Sequence, residues 1–448
     1  MKYDIAIIGG GPAGYNAAEK AASNGFKTVL FEKSDIGGVC LNEGCIPTKT
    51  FLYSAKLLDG MKNAGKYGLE AGEFSLDHKK VVLRKNKIVK KLTTGVKYKL
   101  DLNGVDIIQK QATIKGESDG TIRIEAEGEE FQAEYLLLCT GSSTAIPPIK
   151  GLDGIAYWTS KEALEATELP GSLVIIGGGV IGMEFASYFN SVGVNVTVVE
   201  MMPEILGAMD KEVSAMLRSD YTKRGVKFHL NTAVVEVASD KVIIEKGGKR
   251  EELPADKILV SVGRRANLSD IGLETLSIEV DRKGVKVNEY MQTSHPRVYA
   301  AGDITGFSML AHTAIREGEV AINRILGRDD VMSYNGVPGV VYTNPEIAGV
   351  GKTEEELSAA GEVFRVSKLP MTYSGRFVAE NEGVNGLCKL ITDAQNHIIG
   401  CHIYGNPASE LIVLAGTAID EHFTIEQFQK IVFPHPTVSE ILREVAFE

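Results

Sequence analysis

The sequence predicts an α/β chain in which two parallel-sheet domains of one design precede a smaller α+β domain. Two patterns carry that prediction. An apolar strand run enters a glycine-rich turn and then a helix at IAIIGGGPAG (5–14), and the same grammar returns at LVIIGGGVIG (173–182). From residue 332 onward, short apolar runs such as 339–342 and 398–403 read as strands, with helices such as 408–419 between them.

In the first turn, Gly9, Gly11 and Gly14 keep the spacing G-x-G-x-x-G between a strand and an Ala-rich helix. Such glycines permit a tight turn, let the backbone approach a pyrophosphate and allow close helix-to-strand packing, with the helix N-terminus facing the phosphate. Glu32 closes the next apolar run, TVLF (28–31), where a carboxylate accepts ribose hydroxyls. Together these make a dinucleotide-binding fingerprint. Gly177, Gly179 and Gly182 repeat it, and Glu200 closes VTVV (196–199), so the chain binds two dinucleotides. No Lys or Arg stands between Glu200 and Lys211, and a carboxylate there repels a ribose 2′-phosphate, which favours NAD over NADP.

Directly after the first unit, GGVCLNEGCIPTK (37–49) sets Cys40 and Cys45 five residues apart. On an ideal helix such residues lie roughly 8 to 9 Å and about 140° apart, whereas a disulfide wants Cα atoms about 4.4 to 6.8 Å apart. A bond between them needs a local distortion, for which Gly44 relaxes the backbone while Pro47 limits how the next helix begins. A strained, accessible disulfide is the more easily reduced kind, so the pair reads as a redox couple. A dithiol gives up electrons by thiolate attack and disulfide formation, while a nicotinamide takes a hydride, and a flavin links the two. The cysteines follow the first fingerprint at once, which assigns FAD to that domain and NAD to the second.

With these residues the chain resembles the flavin-dependent pyridine nucleotide disulfide oxidoreductases, and within them the branch that oxidises dihydrolipoamide. The resemblance spans nearly the whole chain. It adds LCTGS (138–142), SVGRR (261–265), YAAGD (299–303), MLAH (309–312), YTNPE (342–346) and HPTVSE (435–440) in the expected order. It implies that Asp303 binds ribitol hydroxyls, that Ala112, Thr140, Gly141, Met309 and Ala311 line the flavin nucleotide, and that Val234 and Gly263 line the NAD adenosine and ribose. Lys49 is then the lysine near the flavin, paired with Glu184. Relatives often carry glycine where Ala112 stands.

His435 lies between two prolines, which push the preceding backbone towards extended geometry, and Glu440 falls in the first turns of the final helix. Read alone, the pair is either a carboxylate-oriented base or a loop histidine beside a glutamate favoured by the helix dipole. The resemblance selects the base, reaching the disulfide of the other subunit of a homodimer. His435 then takes a proton from dihydrolipoamide, the thiolate attacks Cys40, the second substrate thiol resolves the mixed disulfide, and oxidised lipoamide leaves. Cys45 becomes the thiolate in charge transfer with the flavin, and the reduced flavin passes hydride to NAD⁺.

Domain boundaries follow from the same reading. A discontinuous FAD domain covers 1–144 and 266–331, an NAD domain 145–265 and a dimerisation domain 332–448, with AIPP (145–148) at the first crossing. A chain of 448 residues suggests about three domains, and 48 glycines exceed the usual ~7%. The formal net charge of −11 argues against nucleic-acid and anionic-membrane partners. No apolar run approaches the ~20 residues of a membrane span, and Asp4 and the glycine turn interrupt any signal-like N-terminus.

Five cysteines are too few for a disulfide framework in a chain this long, which suggests a reducing, cytoplasmic setting. Cys139 reads as a small buried side chain; Cys388 and Cys401 show no partner. The basic amphipathic stretch 85–100 reads as a solvated helix. The resemblance implies as partners the lipoyl domains and acyltransferase core of 2-oxo acid dehydrogenase complexes, or the glycine cleavage system. Rival readings are an NADH-dependent reductase of another small disulfide, or a mainly structural flavoprotein subunit of a multienzyme complex. Mercuric reductases add a cysteine pair near the C-terminus that EVAFE (444–448) lacks, and glutathione reductases normally use NADP, against Glu200.

Overall fold

In a computed structural model describing residues 1–448, the chain gathers into two compact units. One comprises Met1–Thr50, Val82–Ala145 and Gly263–Met332, the other Phe51–Val81, Ile146–Val262 and Ser333–Glu448.

The first unit opens with strand β1 (Lys2–Ile8), whose Ile5, Ala6 and Ile7 are fully buried, and continues into helix α1 (Pro12–Ser23) and β2 (Thr28–Phe31). Pro12 at the first helical position suits a helix start, because its fixed φ is helical and its missing N–H is not needed there. Ala13, Ala17, Ala18 and Ala21 give α1 a narrow buried face, onto which Gly318 of a later helix fits closely. Short helix α2 (Gly38–Asn42), α3 (Cys45–Lys62) and α4 (His78–Leu102) follow, then β3 (Asp106–Ile108), β4 (Ala112–Ser118), β5 (Thr121–Ala126), β6 (Glu129–Leu138) and β7 (Ser142–Thr144). The sheet order is β3-β2-β1-β6-β5-β4. Strand β6 changes partners along its length: its start is antiparallel to β5, while its end is parallel to a strand from much later in the chain.

The second unit repeats the design. Helix α5 (Ser160–Glu165) precedes β8 (Ser172–Ile176), α6 (Val180–Ser191), β9 (Asn195–Val199), α7 (Lys211–Lys223) and β10 (Lys227–His229); a meander of β11 (Ala233–Ala238), β12 (Lys241–Lys246) and β13 (Lys249–Pro254) leads to β14 (Lys257–Val260). The parallel order is β10-β9-β8-β14. The chain then returns to the first unit through β15 (Arg264–Ala266), which pairs antiparallel with β7, and adds β16 (Val298–Ala300) and α8 (Ala311–Ile325). Residues beyond 332 form a five-stranded antiparallel sheet whose inner face packs on the helix Ala408–Asp420 and the final helix Glu440–Ala446.

By their contacts, residues 51–81 fall in the second unit. Their packing on α6 explains it: the Phe51 ring sits 4.7 Å from Tyr188, His78 Nδ1 lies 2.7 Å from the Tyr188 hydroxyl, and Lys62 donates to the Ser191 carbonyl at 2.6 Å. The basic helix is longer than 85–100 and only partly solvated, since Lys85 and Leu100 are buried. No helix is long and apolar enough to cross a membrane.

Candidate active site

The two glycine turns have nearly the same geometry. Gly9 has φ +108° and Gly177 φ +105°, and a Cβ there would stand 2.1 Å from the Cys139 carbonyl oxygen or 2.5 Å from that of Ser261, so only glycine fits. The amide of Gly9 donates to the Phe31 carbonyl at 2.8 Å and that of Gly177 to Val199 at 2.9 Å, tying each turn to the end of the neighbouring strand. Gly14 and Gly182 face the carbonyls of Gly9 and Gly177, where a Cβ would be 1.8 and 2.1 Å away. Gly11 and Gly179 are the N-cap residues of α1 and α6, and neither helix has a side-chain cap. Each therefore presents first-turn N–H groups and the positive end of a twelve-residue helix, a ready anion site.

The two glutamates are held alike. Glu32 takes the Gly10 amide on Oε2 and the Ser34 amide on Oε1, both at 2.7 Å. Glu200 takes the Gly178 amide at 2.7 Å and the Met202 amide at 2.8 Å. Each oxygen keeps a lone pair for a ribose hydroxyl. The bare turns, uncapped helix ends and fixed carboxylates fit a dinucleotide at both places.

Cys40 lies in α2 and Cys45 opens α3, so the helix breaks between them, with Glu43 ending α2 at φ −134°. That break is the distortion the spacing demands, and both residues are free thiols, partly exposed. A hydrogen bond to Cys45, then burial and the Cys45 charge, push the Cys40 thiol far up, while Lys49 one turn along α3 works the other way. Cys40 therefore holds its proton beside Cys45. Gly38, at φ +56°, brings α2 onto the first turn: a Cβ there would stand 2.7 Å from the Gly11 Cα.

Around Asp303 the first unit forms a tight polar corner. Asp303 opens a short 3-10 turn behind Gly302, whose φ of +82° and ψ of −159° are open only to glycine and whose amide donates to the buried Glu317 at 2.6 Å. Ser142 donates to Asp303 Oδ2 through a short hydrogen bond. Arg264 donates to Ser142 Oγ at 2.7 Å and to the Ser142 carbonyl at 2.6 Å. Thr140 and Asn267 exchange hydrogen bonds of 2.9 and 2.8 Å, and the Asn267 amide donates to the Gly141 carbonyl at 2.9 Å. Ala311 starts α8, Met309 is exposed two residues before it, and Ala112 is buried at the start of β4.

His435 Nδ1 lies 2.9 Å from Glu440 Oε1, and the other Glu440 oxygen takes the Thr437 amide at 2.8 Å. That amide bond first, then the histidine, hold the Glu440 carboxyl below its usual range. Glu440 is the first residue of the final helix. The His435 side chain is 81% exposed, so its other ring nitrogen is open to solvent or a partner. Glu184, buried on α6, accepts the Tyr342 amide at 3.0 Å, while Lys49 lies in the first unit. Val234 is half-buried on β11, and Gly263, at φ +114°, begins the return segment of the first unit.

Sequence reading left Cys388 and Cys401 without partners; they are diagonal neighbours, Cys388 standing opposite Ile403 and Cys401 opposite Leu390. The strands that carry them are adjacent and antiparallel, both thiols are fully buried, and a hydrogen bond to Cys401 followed by burial raises Cys388 well above the usual range. A thiol so raised is inert, which makes this pair core rather than chemistry. Burial likewise pushes up Cys139, 6% exposed. Ser142, Arg264, Asn267 and Glu317 were missed as functional candidates, and their only signal was membership in or nearness to the motifs around 140, 264 and 302.

Residues 3–318 match the family model for pyridine nucleotide-disulphide oxidoreductases, and residues 337–446 match the dimerisation domain of the same family. The chain belongs to that family. The second match supports a homodimer. Similar curated proteins include a dihydrolipoyl dehydrogenase of Thermus scotoductus, 40% identical over 99% of this chain and 96% of that protein. Another is a dihydrolipoyl dehydrogenase of Bacillus subtilis, 36% identical over 98% of this chain and 97% of that protein. Among solved structures, LpdA of Mycobacterium tuberculosis superposes with a TM-score of 0.90 at 27% identity over 99% of both chains. The HOCl-induced flavoprotein disulfide reductase RclA of Escherichia coli gives 0.86 at 27% identity over 99% of both.

Proposed function

We propose that the chain oxidises dihydrolipoamide to lipoamide through a Cys40–Cys45 disulfide, with FAD in the first unit and NAD⁺ as final acceptor at the second turn. The observation that carries this is the thiol pair: Cys40, hydrogen-bonded to Cys45, lies on a short helix that closes against the first dinucleotide turn. The near full-length likeness to dihydrolipoyl dehydrogenases supports the substrate.

In the oxidised chain a substrate thiolate attacks Cys40, forming a mixed disulfide and releasing Cys45 as thiolate. The second substrate thiol then attacks its own bound sulfur, lipoamide closes its ring, and Cys40 is freed. The electrons now reside in the Cys40/Cys45 dithiol, the free-thiol form described above. A free thiol of pKa about 8.5 is only a few per cent ionised at pH 7. His435, oriented by Glu440, removes the proton that makes attack possible, serving the disulfide of the other subunit of the homodimer. Lys49, one turn along the helix from Cys45, provides positive charge beside the thiolate. FAD, held at Gly9, Gly11, Gly14, Glu32, Ala112, Thr140, Gly141, Asp303, Met309 and Ala311, supplies the two-electron link between dithiol and nicotinamide. Gly177, Gly179, Gly182, Glu200, Val234 and Gly263 hold NAD. The lipoyl groups are those carried by 2-oxo acid dehydrogenase complexes or the glycine cleavage system.

Turnover of His435→Ala tests the base. It should fall about 10²- to 10⁴-fold with dihydrolipoamide while FAD content stays that of the unaltered protein. Unchanged turnover contradicts the assignment.

A further inference from the structure

Arg264 belongs to the run 261–265, which the proposed function uses only at Gly263. Its side chain is 14% exposed, whereas the ion-paired Arg218, Arg224, Arg297 and Arg316 are 33–42% exposed. Burying a guanidinium is costly unless its N–H groups find acceptors. Here two of them go to one residue, the hydroxyl and the carbonyl of Ser142, and the guanidinium stands 3.9 Å from Asp303 Oδ2. The pairing of β7 with β15 makes this possible, because it sets Ala266 opposite Ser142 and Arg264 opposite Thr144.

A serine hydroxyl has one proton to give. With Arg264 donating to Ser142 Oγ, that proton is committed to Asp303 Oδ2. Asp303 Oδ1 then has no hydrogen bond from the protein, while the backbone just before it is pinned by the Gly302–Glu317 bond of 2.6 Å. The carboxylate is thus held at one oxygen and offered at the other.

We propose that Arg264 is a positioning residue of the flavin site: by fixing Ser142 as donor to Asp303 Oδ2, it leaves Oδ1 to accept from the ribityl hydroxyls of FAD. This rests on the reading of Asp303 as the ribityl acceptor. Arg264 itself need not touch the flavin. A lysine in its place keeps the charge but loses the fork that grips hydroxyl and carbonyl together.

The test is FAD binding to the apoprotein, followed by flavin fluorescence, for Arg264→Met, Arg264→Lys, Ser142→Ala, Asp303→Asn and the Arg264→Met/Asp303→Asn double variant. Losing the charged hydrogen bonds should weaken FAD about 10- to 100-fold in Arg264→Met, with Arg264→Lys in between. The double variant should bind within about twofold of Asp303→Asn alone, since both changes act through one carboxylate. If Arg264→Met binds FAD like the unaltered chain, or its effect multiplies fully with that of Asp303→Asn, the inference is wrong while the flavin site stands. If Asp303→Asn itself binds FAD normally, the ribityl reading fails and the inference with it. Should Arg264→Met not fold, Ser142→Ala removes only the linking hydroxyl and decides the same question: normal FAD binding overturns the relay.

Discussion

The two dinucleotide turns share their geometry and differ in what the chain builds behind the second strand. After β2 and Glu32 comes α2, whose N-cap Gly37 gives no side-chain bond, whose Gly38 packs on the Gly11 turn and whose body carries Cys40. After β9 and Glu200 comes α7, capped by Asp210, which accepts the Glu212 and Val213 amides at 3.0 and 3.2 Å. Asp210 is in turn anchored at 2.9 Å by Lys389, only 1% exposed. Gly179, at the corresponding turn, has nothing within 4 Å of where a Cβ would stand. One scaffold, used twice, therefore carries a pair of thiols where the other carries a structural clamp. The first turn is closed by its own chain, as suits a group that stays bound, and the second is open, as suits a coenzyme that comes and goes.

The largest effect should come from removing the chemistry of the first region. Cys40→Ser is expected to lower dihydrolipoamide oxidation by about three orders of magnitude or more, measured as NADH formed, because the attacked sulfur is gone. FAD should remain bound.

The clamp of the second region is tested by Lys389→Met. It leaves Asp210, Glu212 and Glu354 without their shared cation and should destabilise the chain by about 3–5 kcal/mol in denaturant unfolding. Burial alone works to raise Asp210, yet hydrogen bonding and charge from Lys389, with help from His402, hold it below the usual carboxylate value. Its stabilisation is therefore fully present above the unfolded value of about 4 and is lost as pH falls below that through the lower folded value. Asp210→Asn should flatten the acid limb of the stability curve.

Alanine substitutions separate the closed turn from the open one. Gly38→Ala meets the Gly11 backbone and a positive φ, and should cost about 1–3 kcal/mol of stability and loosen FAD. Gly179→Ala should leave apoprotein stability within about 0.5 kcal/mol and act only on the KM for NAD⁺, where a pyrophosphate has to approach. Equal stability losses would erase the distinction. The smallest effect is expected at Glu200: Glu200→Gln should weaken NAD⁺ about tenfold and narrow its advantage over NADP⁺.

What could be read from the sequence is what lies close along the chain. Gly9, Gly11, Gly14 and Glu32, and their counterparts from Gly177 to Glu200, act through strand, turn and helix within one local unit, so spacing alone reveals them. Cys40 with Cys45 and His435 with Glu440 are equally local, though for the second pair spacing left a loop histidine open and only the family resemblance selected the base. The Arg264–Ser142–Asp303 corner, the Lys389–Asp210 clamp and the Cys388–Cys401 contact join residues brought together by strand pairing or helix docking, and no spacing announces them. The contacts of residues 51–81 are equally silent in the sequence, since Phe51 and His78 find Tyr188 more than a hundred residues away.

The most direct test of the central claim is an anaerobic titration of the FAD-loaded protein with dihydrolipoamide, followed by NAD⁺, with the absorption spectrum recorded at each step. A long-wavelength band from the Cys45 thiolate beside the flavin should grow with dihydrolipoamide and disappear on adding NAD⁺ as NADH forms. A band that only NADH induces, with none from dihydrolipoamide, would contradict the account and point to another disulfide as substrate.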